Sequence, residues 1–543
     1  MKTEKTMKSG RFRLAKLVSS VFAVSFALST SAAIAENELR IATSSAGENS
    51  FTFVPTGCGG DQQNWLTLIY QAPLYFDKDN NLKPGVLNEW SSNDDKTVWT
   101  FKIDPRAKFS DGSPVTAIDA KRTWEILSSS GTCGRAGNYI GNVKGFDAVS
   151  SDASLTSDMS GIKVINSSTI EMHLQTPDPA FHYRIATSHM NIVKAEDAVA
   201  LGLDEFWKPK NNPKVTGPYM LSVYEPDRGN ATLVPNPNWW LDEGPFLDAV
   251  KFQFVEDAQT VGVMALNNQI DASLQKIPNV FKGQLPGFFR PIDTYGFNTF
   301  WLRPEAEPTN DINVRKALAM AVDWNAVFEA TFLEGDGTPS SQALDPALQQ
   351  DPSQTGYPYD VEAAKAALAA SSYGSVENLP KIRVSPRGSD EYNNRALQVV
   401  MEFWRKNLNL TNVEFQERPQ AFGDDWRTLT NLNRDDVVIR FPDPATYMFA
   451  AGHSKGAVPS SSMLAGYSNS MLDSYLDEAL QLEVSDPRRL ELAYKAQKAY
   501  LDDYVLLHFG KATPTLNARE YVKNYFRGPD ISLIEPWKIK IAK

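Results

Sequence analysis

Leu68-Ile69-Tyr70-Gln71-Ala72-Pro73-Leu74-Tyr75-Phe76-Asp77 opens the stretch on which the reading of this chain turns. It continues through Leu82-Lys83-Pro84-Gly85, Glu89-Trp90 and Thr97-Val98-Trp99-Thr100-Phe101-Lys102-Ile103 to Lys108-Phe109-Ser110-Asp111-Gly112-Ser113-Pro114-Val115-Thr116-Ala117. Trp99, Phe101 and Ile103 alternate with Thr100 and Lys102, the period of a strand with one buried face. Asp111-Gly112 supplies a turn soon afterwards. Thr116 with Asp119 then forms a capping box, in which each side chain satisfies a backbone N–H left open at a helix start, so a helix is expected through Trp124.

Outward from that stretch the same mixture recurs. Val314, Ala317, Leu318, Ala321 and Val322 share one helical face behind an Asp311 cap. Asp360 caps an alanine-rich helix, and Asp486-Pro487 opens another whose expected apolar face carries Leu490, Ala493, Tyr494 and Leu501. Short strands among amphipathic helices argue for mixed α/β structure. The chain has 543 residues, more than one hydrophobic core normally serves, so at least two lobes are expected. No Pro/Ser-rich linker separates them, and the connections between lobes must be short.

The N-terminus carries Lys2, Lys5, Lys8, Arg11, Arg13 and Lys16 against Glu4, then an apolar run from Leu17 to Leu28 that ends at Ala33-Ile34-Ala35. A basic region, an apolar region and an A-x-A site describe a signal peptide cleaved after Ala35. The apolar run is too short for the roughly 20 residues that span a bilayer. The first cysteine is Cys58, so no lipid-carrying Cys follows the cleavage site, and a freely diffusing periplasmic protein of a Gram-negative cell is expected. Removing the leader moves the formal net charge from −11 to about −16, because it takes six bases and one acid away. Such a surface repels phosphate backbones, which argues against a nucleic-acid partner. Cys58 and Cys133 are the only cysteines, and an oxidising compartment favours a disulfide between them over two free buried thiols.

No catalytic constellation emerges. The five histidines, His173, His182, His189, His453 and His508, form no tight ligand pair and flank neither cysteine, so no metal and no cofactor is expected. There is no G-x-S-x-G elbow and no phosphate loop. Ser160-Gly161-Ile162-Lys163 matches S-x-x-K without its S-D-N and K-T-G companions, and Gly335-Asp336-Gly337 lacks the third glycine of a dinucleotide fingerprint. Two facing carboxylates of a secreted glycoside hydrolase stay open as a remote alternative, since the chain is rich in acids. The reading is that the protein is not an enzyme.

The residues of the opening stretch resemble the extracellular solute-binding protein family 5, with its dipeptide-, oligopeptide- and nickel-binding receptors of ABC importers. Lys108–Ala117 is similar to the family's F-x-D-G-x-P-x-T-A string. Gly217-Pro218-Tyr219, Asn236-Pro237-Asn238-Trp239-Trp240, Asn268-Gln269-Ile270-Asp271-Ala272 and Asp311-Ile312-Asn313-Val314-Arg315-Lys316-Ala317-Leu318 follow in family order. Arg106 departs from the pattern where a glycine is usual. The resemblance implies a two-lobed α/β periplasmic binding protein (type II, cluster C) with an extra subdomain and an interlobe cleft that closes by hinge motion. The expected division is a signal peptide at 1–35, a first lobe from 36–66, 214–296 and 506–543, its extra subdomain at 67–213, and a second lobe at 297–505. Crossings near Tyr295–Phe300 and Tyr504–Lys511 would form the hinge. The implied partners are a small polar solute and the permease subunits of an ABC importer in the inner membrane, and a monomer is expected.

The segment Val437-Val438-Ile439-Arg440-Phe441-Pro442-Asp443-Pro444-Ala445-Thr446-Tyr447 resembles a family stretch in which an acid, three residues before Asp-Pro, pairs with a bound peptide's ammonium. This chain has Arg440 there, and a guanidinium prefers a carboxylate or phosphate. The candidate ligand-binding residues are Arg440, Phe441, Asp443, Tyr447, Trp426, Tyr467, Trp65 and Trp301. The solute is read as a short peptide or peptide-like compound, with an oligosaccharide or anionic amino-acid or sugar conjugate as the alternative.

Overall fold

The computed structural model describes residues 37–44, 53, 63–130, 136–154, 156–292, 296–332, 336–385, 391–416, 430–438, 441–460, 464, 466–513, 515–528 and 532–543. The leader, both cysteines, Trp426 and Arg440 lie outside them. The expectations of a signal peptide, a disulfide and an Arg440 site therefore fall on residues that are not described. Among the described residues no helix is long and apolar enough to cross a membrane.

The opening stretch folds as its pattern dictates. In the strand Val98–Ile103, Trp99, Phe101 and Ile103 are buried while Lys102 is exposed. Gly112 takes the left-handed backbone its turn requires, at φ +86°. Thr116 accepts from the Asp119 N–H, and the Asp119 carboxylate accepts from the Thr116 N–H at 2.9 Å, completing the capping box of the helix Ala117–Ser128. Arg106, the departure from the family pattern, is held by Asp104 at 2.8 Å and Asp242 at 3.1 Å. Further along the landmarks, Gly217 lies so close to the Ile69 carbonyl carbon that a Cβ would stand 2.3 Å from it, and a glycine is needed there.

Among the described residues three sheets of four or more strands organise the molecule. The largest has seven strands in the order Phe289–Pro291, Thr515–Ala518, Ala272–Ser273, Glu38–Thr43, Ala249–Phe254, Asn230–Pro235, Tyr219–Glu225. The strand Glu38–Thr43 runs parallel to Ala249–Phe254 on one side and to Ala272–Ser273 on the other. Leu87–Ser92, Val98–Ile103, Thr169–His173 and Ile162–Asn166 form a four-stranded antiparallel sheet. One continuous core joins these two sheets, running from Leu39 and Ile41 through Trp65, Phe101 and Trp124 to Tyr525 and Ile539. They make one lobe with its extra subdomain.

The second lobe is built on a five-stranded sheet, ordered Val413–Phe415, Ile382–Ser385, Leu432–Val438, Gly296–Leu302, Leu506–Leu507. Its helices bring two further cores, one around Leu318, Val400 and Trp404, the other around Trp301, Tyr447 and Tyr500. Val314, Ala317, Leu318, Ala321 and Val322 are all buried behind the Asp311 cap, as their spacing requires. The helix Pro487–Asp502 corrects half of its expected face: Ala493 and Leu501 are buried as expected, Leu490 and Tyr494 only partly, and the inward stripe is Arg489, Leu492, Ala493, Ala496, Gln497, Tyr500 and Leu501. The rotation has a cause. Arg489 turns inward to a buried carboxylate, and an apolar-only reading cannot assign an arginine to a core face.

Candidate functional site

The chain passes from the first lobe into the strand Gly296–Leu302, and Phe300 of that strand pairs with Leu507 on the way back. Lys511 follows in the strand Gly510–Ala512, where its ammonium forms a buried pair with Asp345 at 2.7 Å. Beside these crossings Asp336 of the second lobe accepts from Asn279 of the first at 2.7 Å and pairs with Lys282. The two lobes are thus joined covalently and by polar contacts on one side.

A separate contact links the extra subdomain to the second lobe. Tyr183, on the short helix Phe181–Arg184, stacks on Phe441 with ring centroids 5.7 Å apart and planes 20° apart. Its other face lies on Phe76 at 5.9 Å and 8°. Lys96 forms an ion pair with Glu483 at 2.8 Å. Between them sits His182, stacked 4.6 Å from Trp99, and burial pushes its imidazole down to about 4 against the opposing pull of Glu483 and Asp178. It is therefore neutral at pH 7. Burial likewise raises the Tyr183 phenol, with Glu483 and Asp443 adding to the shift.

The candidate residues separate into three groups. Among the described candidates Phe441 meets a ring of the opposite lobe, and Asp443 and Tyr447 follow it into the helix Pro444–Gly452. Asp443 caps that helix, accepting from the Thr446 N–H at 3.1 Å, while Arg489 donates to its two oxygens at 3.1 and 2.6 Å. Burial alone would raise the Asp443 carboxyl, but the Arg489 guanidinium and Thr446 outweigh it and hold it below the ordinary range. The carboxylate is occupied within its own lobe. Tyr447, Trp301 and Tyr467 share one buried cluster: the Trp301 indole donates to the Tyr500 hydroxyl at 3.0 Å, and the Tyr467 hydroxyl donates to Asp503 at 2.7 Å. Trp65 lies apart, packed edge-on against Phe53 and Phe252 in the first lobe's core. The structure thus brings Phe441 and Asp443 to one place, Trp301, Tyr447 and Tyr467 to another, and Trp65 to a third.

Lys96, Tyr183, Glu483 and Arg489 were not among the candidates. Lys96 alone left a local trace, since the Asn93–Thr97 turn holds it at φ +55°, in the left-handed region. Among the described residues no three His, Cys, Asp or Glu side chains gather as a metal site. A cavity of about 60 Å³ is bordered by Tyr70, Tyr75, Phe76, Glu535 and Trp537, so that Phe76 lies between it and the Tyr183 ring.

Two α/β lobes joined by short crossings, with side chains of each meeting across the gap, define a two-lobed periplasmic binding protein fold. The chain belongs to the bacterial extracellular solute-binding proteins of family 5, whose model matches residues 81–458. It is 22% identical over 451 residues, 81% of each chain, to the periplasmic oligopeptide-binding protein OppA of Salmonella typhimurium. It is 25% identical over 399 residues to the periplasmic murein peptide-binding protein MppA of Escherichia coli, covering 70% of this chain and 71% of that one. The unliganded open form of the MppA murein tripeptide-binding protein superposes with a TM-score of 0.73 at 21% identity, over 93% of this chain and 97% of that one. The clavulanic acid biosynthesis oligopeptide-binding protein 2 gives 0.77 at 17% identity, over 93% and 95%.

Proposed function

We propose that the protein is the periplasmic receptor of an ABC importer, capturing a short peptide or peptide-like solute between its lobes and delivering it to the membrane permease without altering it. The observation that carries this reading is the family match over most of the chain, supported by relatives that are themselves peptide-binding receptors. Closure around a solute is favoured only by contacts that differ between open and closed states, so both lobes must touch it. Phe441, beside Arg440 and facing the first lobe, is the candidate best placed for that. Arg440 would favour a peptide presenting a carboxylate towards it, through paired charge-assisted hydrogen bonds. The lobe boundaries given by the resemblance, cleavage after Ala35 and a Cys58–Cys133 disulfide belong to the same reading. The intact mass of the exported protein checks the last two, through loss of the leader and of two hydrogens.

The deciding experiment is mass spectrometry of the solute that co-purifies with the exported protein, followed by calorimetric titration of the stripped protein with di- and tripeptides. The expected result is a peptide, recovered unchanged, that binds again. Arg440→Ala should weaken it by about 2 kcal/mol or more, the loss expected for a buried charge-assisted bond. A non-peptide solute together with no measurable peptide binding would overturn the reading.

A further inference from the structure

We infer that the cavity bordered by Thr67, Tyr70, Tyr75, Glu535 and Trp537 is a binding site for a primary ammonium group, the charged end of a small amine or of a larger solute. The inference goes beyond the receptor reading, because the chemistry of these walls is the same whatever the protein carries. No residue of the second lobe takes part.

Two hydroxyls on these walls are unsatisfied. The Tyr70 N–H donates to the Leu66 carbonyl at 2.8 Å, which carries the turn of the helix Gln63–Ile69 on through Tyr70. Thr67 and Tyr70 stand three residues apart on that turn and so share a face, and both border the cavity. Tyr70 is 1% exposed, and its phenolic oxygen and the Thr67 hydroxyl oxygen are both buried without a hydrogen-bond partner. Burial raises the Tyr70 phenol above its ordinary range, so it stays neutral, able to accept as well as donate. Two such groups left empty cost free energy that a bound polar ligand recovers. Ser188 and Ser532, on the same walls, already bond each other at 3.0 Å.

Charge and size decide what would satisfy them. Among the described residues lining the cavity, Glu535 is the one charged group. Its Oε1 accepts from the Tyr75 hydroxyl at 3.3 Å and from the Lys538 ammonium at 2.9 Å, and no described residue donates to its Oε2. Lys538 also reaches Glu243 at 3.6 Å, so two carboxylates share one base and an added cation balances the charge. Tyr75 and Trp537 meet edge to face at 5.6 Å and 89°, and Phe76 closes the side towards Tyr183, so aromatic rings supply much of the remaining wall. An anion would face the Glu535 carboxylate, and an apolar group would leave both hydroxyls stranded. An ammonium meets each requirement: its three N–H groups match two hydroxyl oxygens and one carboxylate oxygen, and ring faces attract its charge. Room is limited. About 60 Å³ holds roughly four water-sized groups at about 10–15 Å³ each, enough for an amine of two or three carbons or the amino end of something larger. Tyr75, Phe76 and Glu535 are half-buried while Tyr70, Gln71 and Trp537 are buried, so the way in passes the first three.

The test uses the whole protein, stripped of solute by unfolding and refolding, with ethylammonium chloride as the probe and saturation-transfer NMR of its ethyl protons as the readout. Ethylammonium should bind over a sodium chloride background of the same ionic strength, whereas ethanol and acetate, similar in size but neutral and anionic, should not. Glu535→Gln should weaken ethylammonium by about tenfold or more, the scale of a bond between charged groups, and Tyr70→Phe, which removes one hydroxyl and keeps the ring, by about threefold. Thermal melting establishes that the variants are folded, and the comparison of the three probes on wild type needs no variant. No ethylammonium signal, equal signals from ethanol or acetate, or undiminished binding by Glu535→Gln overturns the site. Two competitors tell the source of the ammonium: displacement by glycylglycine but not by its N-acetylated form assigns the cavity to the amino end of a solute, and displacement by neither assigns it to a free amine. Displacement by both overturns the choice of an ammonium. Peptide capture is read by calorimetry and ethylammonium by NMR, so either reading can fail while the other stands.

Discussion

Both oxygens of Asp443 are taken up by Arg489 and Thr446, so removing the guanidinium would strand a carboxylate that is only 3% exposed. Arg489→Met should destabilise the protein by about 3–5 kcal/mol, the cost of an uncompensated buried charge, read as a shift of the denaturant midpoint. Adding Asp443→Asn should recover most of the loss, because asparagine still caps the helix and carries no charge. His508 sets a second expectation. Burial lowers its imidazole to about 3, and His182 behaves alike at about 4. The unfolded chain takes up these protons near pH 6.5, well above where the folded chain does. Between those values the unfolded state binds more protons, so stability is full above about pH 6.5 and falls as the pH is lowered, by up to about 1.4 kcal/mol per unit for each histidine. Denaturant titrations from pH 7 to pH 4 should show that slope, and His508→Gln should flatten it. A slope the same with and without His508 would refute its role. Of these residues Asp443 was visible in the sequence, as part of an Asp-Pro motif, but its partner lies 46 residues away, and Tyr183 sits on a four-residue helix too short for periodicity to register.

Helix starts were legible because their chemistry is local. Thr116, Asp311 and Asp360 each accept from an N–H two or three residues ahead, so the contact is written in adjacent letters. The inward face of Pro487–Asp502 was not legible, since which side of a helix is buried depends on what it meets. Pairings between distant strands share that difficulty: nothing near Phe300 indicates that Leu507 lies opposite. Local pattern could not indicate where the chain crosses between lobes, and the crossings near Tyr295–Phe300 and Tyr504–Lys511 come only from the family resemblance. One of them carries a sharp expectation. Gly510 has φ +138°, and a Cβ there would lie 2.6 Å from the Thr338 carbonyl oxygen and 2.7 Å from the Phe328 ring. Gly510→Ala should therefore cost about 2–3 kcal/mol through backbone strain and the displaced strand Gly337–Pro339. Urea unfolding measures it, and an unchanged midpoint would show that the crossing has slack.

At the scale of the whole molecule, the order of the seven-stranded sheet differs from the order of synthesis. Glu38–Thr43 finds its neighbours only at Ala249–Phe254 and Ala272–Ser273, and Thr515–Ala518 slots between Ala272–Ser273 and Phe289–Pro291. The strands of the second lobe's five-stranded sheet, by contrast, all lie between Gly296 and Leu507. A nascent chain therefore carries its first strand for more than two hundred residues without a parallel partner, and the lobe begun first is completed last. Until the final strand emerges, two sheet edges stand open where it belongs, and open edges are sites for unwanted pairing. Closing contacts between such distant segments is slow as well, because the ends of a long loop must first meet. The topology thus keeps the first lobe loose until its last strand is made, so that this part of the chain stays a thread that can still be passed through a narrow channel.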